Sequence, residues 1–245
     1  MRHHFNMKKN LTNAKISIII PTFNEAGTIE KLLSYLTQFK DEHIQEIIVA
    51  DGGSTDNTCN LARQSGALAV ISPKKGRGAQ MNYGALQASG NILYFLHADS
   101  YPPPRFWQDI IFAIEQGYGS GCYQLAFDEP HPFLRFNAWF TRFNIDAVRF
   151  GDQSLFVTKD VFQKAGGFRE DLIIMEDQEI IGRIRKYAKF KILSGKVTTS
   201  ARKYRENGVY KLQGIFFLIY FLYQLGYPQE KLVKLYKRLI RQNKV

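Results

Sequence analysis

The sequence has only two cysteines, Cys59 and Cys122, among 245 residues. That is too few for a disulfide framework, and their spacing fits no metal site. Both are expected to be reduced side chains in or near the core, in a reducing compartment. Long hydrophobic runs are missing as well. The longest, 215–223, has nine residues, against about 20 for a membrane-spanning helix, so a soluble or peripheral protein is expected. Residues 1–14 are polar and basic without an apolar segment and read as a leader rather than a secretory signal. There is no internal repeat and no low-complexity linker. Acidic residues are under-represented, 22 against 33 Lys and Arg, giving a net charge of +11. The excess is concentrated at one end: residues 196–245 hold eleven basic and two acidic side chains, net +9. A basic tail suits an anionic surface such as a bilayer, a nucleic acid or a phosphorylated substrate. No helix-turn-helix, zinc or single-strand-binding signature accompanies it, which argues against a nucleic-acid partner.

What is present is globular: 45% apolar and 22% charged residues. Short apolar runs alternate with helical patterns. Residues 16–20 read as a buried strand, and Ile29, Leu32, Leu33, Leu36 and Phe39 form one face of a helix. Strands are then expected at 46–50, 67–71 and 91–96, with helices at 57–64 and 79–88. Such alternation specifies a parallel α/β sheet, whose ligands bind beyond the carboxyl ends of the strands. Polar clusters stand at those ends: 21–25, 51–56, 74–78 and 97–99. After Pro102-Pro103-Pro104 the pattern changes. A helix is expected at 105–115, strands of a more antiparallel region at 118–127 and 154–157, and helices at 131–144 and 176–187. An aromatic stretch, 214–227, precedes a basic helix in which Leu232, Leu235, Tyr236, Leu239 and Ile240 share a face.

Each cluster has a plain reading and a chemical one. Asp51-Gly52-Gly53-Ser54-Thr55-Asp56 makes a tight turn with Ser54 or Asp56 as a helix cap; its carboxylate can also accept hydrogen bonds from a base or ribose. Lys74-Lys75-Gly76-Arg77-Gly78 is a solvated charge run, or a cationic loop at a helix N-terminus suited to a diphosphate. It matches neither a Walker A nor a dinucleotide fingerprint. Asp99 caps a helix, or holds Mg2+ or Mn2+ if substrate phosphates supply the other ligands. His97 is a core histidine or a second ligand. Glu176-Asp177 is ordinary helix N-terminal charge, or a general base with a partner acid. Asp152 is a further polar candidate.

The order Pro21-Thr22-Phe23-Asn24-Glu25, Ile48-Val49-Ala50-Asp51-Gly52-Gly53-Ser54-Thr55-Asp56, Gly76-Arg77-Gly78, His97-Ala98-Asp99 and Glu176-Asp177 resembles the family 2 glycosyltransferases of the GT-A fold. The resemblance is strong over residues 15–100 and continues through Gly166-Gly167-Phe168 to about residue 190. The strings 76–82 and 96–99, with the tail 223–236, are similar to one small bacterial subgroup. The resemblance implies an α/β GT-A fold, a mixed and mostly parallel sheet flanked by helices, with a helical basic C-terminal tail. It implies a catalytic domain over 15–205, with a nucleotide-binding half at 15–100 and an acceptor half at 101–205, and a tail at 206–245 packed on or beside it. Pro21, Thr22, Phe23 and Glu25 would line the nucleotide pocket, with Asp51 at the base. Arg77 would approach the nucleotide or its phosphates, and Asp99 would bind the divalent cation, Mn2+ or Mg2+. Asp177 would be the base with Glu176 near the sugar or acceptor, and His97 and Asp152 would stand behind them or meet the acceptor. The implied activity is inverting transfer of a sugar from a UDP- or GDP-linked donor to an acceptor hydroxyl, with a lipid-linked acceptor among the candidates. A sugar-nucleotide-binding or scaffold protein without catalysis is the alternative. The chain departs from the family in two places. His97 occupies the first position of the usual Asp-x-Asp, and the Gln-x-x-Arg-Trp of processive members is missing, with Arg202-Lys203-Tyr204-Arg205 the nearest string. One sugar per event is therefore expected. The expected location is the cytoplasm, with the tail offering a peripheral contact to the cytoplasmic membrane face.

Overall fold

The computed structural model describes residues 14–39, 41–145, 148–149 and 151–241; the expected leader, Ala14 apart, lies outside them. Strand β1 (Ile16–Thr22) is buried at every position, which is why its sequence runs apolar instead of alternating. Helix α1 (Ala26–Thr37) follows and buries Ile29, Leu32, Leu33 and Leu36, at about 2 kcal/mol of transfer free energy per side chain. The alternation continues with β2 (Ile44–Asp51), α2 (Thr58–Gln64), β3 (Leu68–Ile71), α3 (Arg77–Gln87) and β4 (Ile92–Phe95). The second half contains β5 (Ser100–Tyr101), α4 (Phe106–Glu115), β6 (Ser120–Phe127), α5 (Pro132–Phe140), a 3-10 turn at Gly151–Gln153, β7 (Leu155–Thr158), α6 (Lys159–Lys164), α7 (Glu176–Ile184) and β8 (Phe190–Thr199). Helices α8 (Arg202–Asn207), α9 (Val209–Gln224) and α10 (Gln229–Leu239) close the chain.

The eight strands form one sheet in the order β3-β2-β1-β4-β7-β6-β8-β5. The first four are parallel. β7 enters antiparallel to both β4 and β6, and β5 runs antiparallel to β8. The antiparallel character expected after residue 104 is therefore present, although β6 and β8 are parallel to each other. Helices cover both faces. Ile16, Ile18 and Ile20 point into one core with α1 and α4, and Ile19 points into another with Met81, Phe95 and Ile180. A third cluster joins α9 to α10 through Leu212, Ile215, Ile219 and Leu232.

Parallel register sets where the polar clusters finish. Thr22 pairs with Asp51, and Asp51 with Ile71, while Ile19 pairs with Phe95. The segments following β1, β2 and β4 therefore leave the sheet at one edge.

Strand β8 was not expected from the sequence. Between Cys122 and Gln124 on β6 the partner advances from Ile192 to Lys196. The two extra residues fall where the sequence has Ser194-Gly195, a pair that reads as a turn rather than as strand interior. Short elements β5, α6 and α8 were also missed.

Candidate functional site

The first wall is built from the loops after β1 and β2. Asp51 is fully buried, and its carboxylate is shared between those loops. Oδ1 accepts from the amides of Gly53 (2.9 Å) and Ser54 (2.7 Å). Oδ2 accepts from the hydroxyls of Ser54 (2.5 Å) and Thr22 (3.0 Å). Burial opposes its ionisation, but these bonds outweigh burial and leave the carboxyl below the ordinary range. Asn24, with φ at 54°, crosses to the second loop. Its amide donates to Ser54 Oγ (2.8 Å), and its side-chain oxygen accepts from the Thr55 amide (2.9 Å). The Glu25 amide donates to Thr58 Oγ1 (2.8 Å). Pro21, Thr22, Phe23, Glu25 and Asp51 are thus brought together.

Helix α3 extends this wall. Gln80 is buried and Nε2 donates to the carbonyls of Thr22 (2.6 Å) and Ala50 (2.9 Å), clipping the ends of β1 and β2. A side chain on Gly52 would stand 3.0 Å from the Gln80 amide carbon. One turn earlier Arg77 opens the helix after Gly76, whose φ of 115° requires glycine. Two residues later Asn82 pairs with the backbone of Phe168 in both directions, each at 2.8 Å. The Gly166-Gly167-Phe168 segment is held there.

Arg77 reaches across to α7. Its Nε donates to Glu176 Oε1 at 2.5 Å, and Nη2 lies 3.8 Å from Asp177 Oδ2. The two acids differ in surroundings. Glu176 is completely buried, and its Oε2 has no hydrogen-bond partner among the described residues. Burial raises its pKa, Arg77 opposes the rise and the neighbouring Asp177 charge adds to it; the net direction is upward. The Asp177 side chain is 16% exposed. It faces the 3-10 turn, where a methyl group on Gly151 would collide with its carboxylate and lie 2.8 Å from His97 Cε1. A cavity of about 20 Å³, room for one water, is walled by His97, Gly151, Asp177 and Phe168.

His97 Nδ1 lies 2.8 Å from Asp152 Oδ1. Burial would lower the imidazole pKa, but the bond and charge of Asp152 outweigh that and raise it. Desolvation likewise opposes ionisation of Asp152, yet His97, Lys203 and Arg77 together hold its carboxyl at about 2. Asp99 is next to this pair. Burial first, then the Asp152 and Glu25 charges, push its carboxyl upward, against the pull of His97 and Lys203. Asp99 is the carboxylate here that could hold a cation. Among the described residues no three His, Cys, Asp or Glu side chains converge into a self-sufficient metal site, so the remaining ligands would have to come from a bound molecule.

All the candidates from the sequence fall along this edge, in two linked groups. Several contributors were not singled out: Gln80, Asn82, Gly151 and Arg149. The Arg149 guanidinium is wholly buried and donates from Nη1 to the Thr141 carbonyl (2.7 Å) and Gln153 Oε1 (2.8 Å), fixing the turn that carries Asp152. A lone arginine in a loop gives no sequence signal of burial. An open groove of about 660 Å³ between β6 and α5 holds none of these side chains.

A four-stranded parallel half, extended antiparallel and carrying its polar side chains at the carboxyl edge, defines a GT-A glycosyltransferase fold. Residues 17–173 match the model of glycosyl transferase family 2, so the chain belongs to that family. Among curated relatives, it is 37% identical over 94 residues to glycosyltransferase AglE of Haloferax volcanii, covering 36% of this chain and 31% of that one. It is 32% identical over 108 residues to dolichol-phosphate mannosyltransferase of Pyrococcus furiosus, covering 42% and 31%. The chain thus spans under a third of the length of each. The structure of the mannosyltransferase PcManGT from Pyrobaculum calidifontis, in complex with GDP-Man and Mn2+, superposes with a TM-score of 0.65 at 17% identity, covering 90% of this chain and 69% of that one.

Proposed function

We propose that the protein transfers one sugar per event from a nucleoside-diphosphate sugar, UDP- or GDP-linked, to an acceptor hydroxyl with inversion at the anomeric carbon. The observation that carries this reading is the continuous line of contacts from the Asp51 turn through α3 to Arg77, Glu176 and Asp177, and on through Gly151 to His97 and Asp152, with Asp99 two residues along the chain from His97. The assignments follow the geometry. Pro21, Thr22, Phe23, Glu25 and the Asp51 turn take the base end of the nucleotide. Arg77, 39% exposed, has donors left for the diphosphate. Asp177, the more exposed of the two acids, accepts the acceptor's proton as its oxygen attacks. The bond from the anomeric carbon to the diphosphate breaks as the new bond forms on the opposite face, so no covalent enzyme intermediate arises. Glu176 stays behind it, held by Arg77. Asp99, with Asp152 and His97 adjacent, would hold a divalent cation, Mn2+ or Mg2+. Such an ion neutralises charge developing on the diphosphate leaving group. The GDP-Man and Mn2+ in the PcManGT structure support the donor class and the ion. We assign the catalytic domain to 15–205 and the tail to 206–245, in a cytoplasmic protein.

Thermal denaturation with UDP, GDP, CDP and ADP, each with and without Mn2+, tests the reading. Ligand at 100 times its dissociation constant adds about 2.7 kcal/mol, which is about 5–10 °C for a chain of this size. One nucleotide should give that shift, and Asp99→Ala should lose its Mn2+-dependent part. Asp177→Asn should keep the shift and lose donor turnover by at least about 1000-fold. Failure of all four nucleotides to stabilise the protein, or wild-type turnover by Asp177→Asn, would overturn it.

A further inference from the structure

Helix α9 contains a single charged residue, Lys211, in its sixteen positions. Its inner side is accounted for: Leu212, Ile215 and Ile219 are buried against α10. Its outer side is apolar too. Phe217 is 57% exposed, Leu218 43% and Phe221 59%, and Leu225 just past the helix end is 67% exposed. Spacings of one, four and eight place these four on one side. A helix apolar all round is ordinarily covered on every side. Sixteen residues make a rod of about 24 Å, shorter than the about 30 Å hydrocarbon core, and no described helix is long and apolar enough to cross a membrane. The helix can only lie along a surface.

Charge identifies that surface. Lys211 stands at the start of the apolar strip. Lys231, whose Nζ is 5.7 Å from the Tyr227 ring centre, stands at its far end. Lys234, Lys237 and Arg238 are exposed on α10. The only acid between 209 and 241 is Glu230. A second copy of the chain would set this basic array against its twin; a plane of anionic headgroups complements it. We propose that the outer face of α9 docks on an anionic lipid bilayer, with Phe217 and Phe221 at the headgroup boundary and the α9–α10 lysines on lipid phosphates.

The helix pair is fastened to the candidate site through its inner cluster. Ile174 and Met175 pack against the α9–α10 cluster, and Gln229 Nε2 donates to the Ile174 carbonyl at 3.3 Å. The next residues are Glu176 and Asp177. Docking would therefore hold the transfer site beside the lipid surface, where an acceptor carried by the membrane is met. That consequence rests on the function proposed above; the docking does not.

Vesicle flotation of the full chain separates the two. At low salt, vesicles of phosphatidylglycerol and phosphatidylcholine should carry the wild-type protein, and pure phosphatidylcholine should not. Added salt should release it. Phe217→Ser/Phe221→Ser and Lys231→Glu/Lys234→Glu should each weaken binding about tenfold or more while circular dichroism and the nucleotide-dependent melting shift stay as in wild type. No flotation with phosphatidylglycerol vesicles overturns the proposal, as does wild-type flotation of Phe217→Ser/Phe221→Ser. A stable dimer in sedimentation that this double variant converts to monomer also overturns it, by assigning the face to self-association.

Discussion

Gly151→Ala is the most economical probe of the candidate site, because it adds one methyl group and alters no charge. Gly151 is not among the glycines with positive φ, so alanine fits the backbone and the effect is purely steric. The added carbon would overlap the carboxylate of Asp177, at 2.5 Å from Cγ, and would press on His97 Cε1 at 2.8 Å. Ordinary carbon contacts are about 3.5–4.0 Å, so one of these groups must retreat by about 1 Å. Overpacking of this kind costs about 1–3 kcal/mol. The lower end applies here because Asp177 is a terminal carboxylate with some access to solvent, and it corresponds to a fall in melting temperature of about 2–4 °C. A reacting group displaced by 1 Å loses on the order of 100-fold in rate. The assay pairs thermal melting, with and without the stabilising nucleotide, with donor turnover. The expected variant is folded, shows a normal nucleotide shift, and turns over donor about 100-fold more slowly. Turnover within about twofold of wild type would refute the argument, because Asp177 would then not depend on its packing against the 151–153 turn.

Two further outcomes are expected. Gln80→Leu removes two hydrogen bonds, one to the Ala50 carbonyl and one to the Thr22 carbonyl, which keeps the Gly52 amide; at about 0.5–1.5 kcal/mol each it should cost about 1–3 kcal/mol and weaken nucleotide affinity together with stability in a melting assay. The His97–Asp152 contact makes stability depend on pH in two directions. His97 is raised from 6.5, so its contribution is complete below about pH 6.5 and disappears as pH rises through the raised value. Asp152 is lowered from 3.8 to about 2, so its contribution is present above about pH 3.8 and disappears as pH falls toward 2. These are one interaction viewed from two partners. Water screens the half-exposed Asp152, so His97→Asn should cost about 0.5–1 kcal/mol at pH 5.5 and less at pH 8.5. An equal cost at both would exclude the ion pair.

The parallel half of the fold was legible because strands buried on both faces leave continuous apolar runs, and because the polar clusters must stand where those runs stop. Pro21, Asp51 and Asp99 were found that way. Arg77 and Glu176 were each identified, but their pairing joins residues 99 positions apart and leaves no periodic trace. Gln80 and Asn82 were missed as contributors for a different reason. Gln80 bonds backbone carbonyls, and Asn82 bonds the Phe168 backbone and the Glu170 side chain 88 positions away, so no local pattern in the sequence betrays them. Ser194-Gly195 hid a ten-residue strand, because that pair in its middle reads as a turn. The aromatic stretch at 214–227 was ambiguous since a helix apolar all round has no preferred face by pattern. In the structure one side is core and the other is exposed.

The Arg77–Glu176 pair joins α3 to α7 across the candidate site, and it can be tested without a substrate. Glu176 is fully buried, with one oxygen lacking a hydrogen-bond partner among the described residues. Removing Arg77 would leave a carboxylate with no compensating charge and with Asp177 beside it. Breaking a fully buried pair in this way costs about 3–5 kcal/mol; Arg77 is 39% exposed, so water entering its place reduces the cost of Arg77→Ala to about 1–3 kcal/mol. The sign with pH follows from linkage. A carboxyl whose folded pKa is raised binds more protons folded than unfolded, so stability falls as pH rises above its unfolded value near 4.5. Arg77→Ala raises that pKa further and should destabilise more at pH 8 than at pH 5. Glu176→Gln removes the charge that needs compensation. The double variant Arg77→Ala/Glu176→Gln should therefore be more stable at pH 8 than Arg77→Ala alone, with its pH dependence flattened. Additive losses in that cycle would mean that Arg77 acts on the fold through packing, and that the short contact to Glu176 contributes nothing to joining α3 to α7.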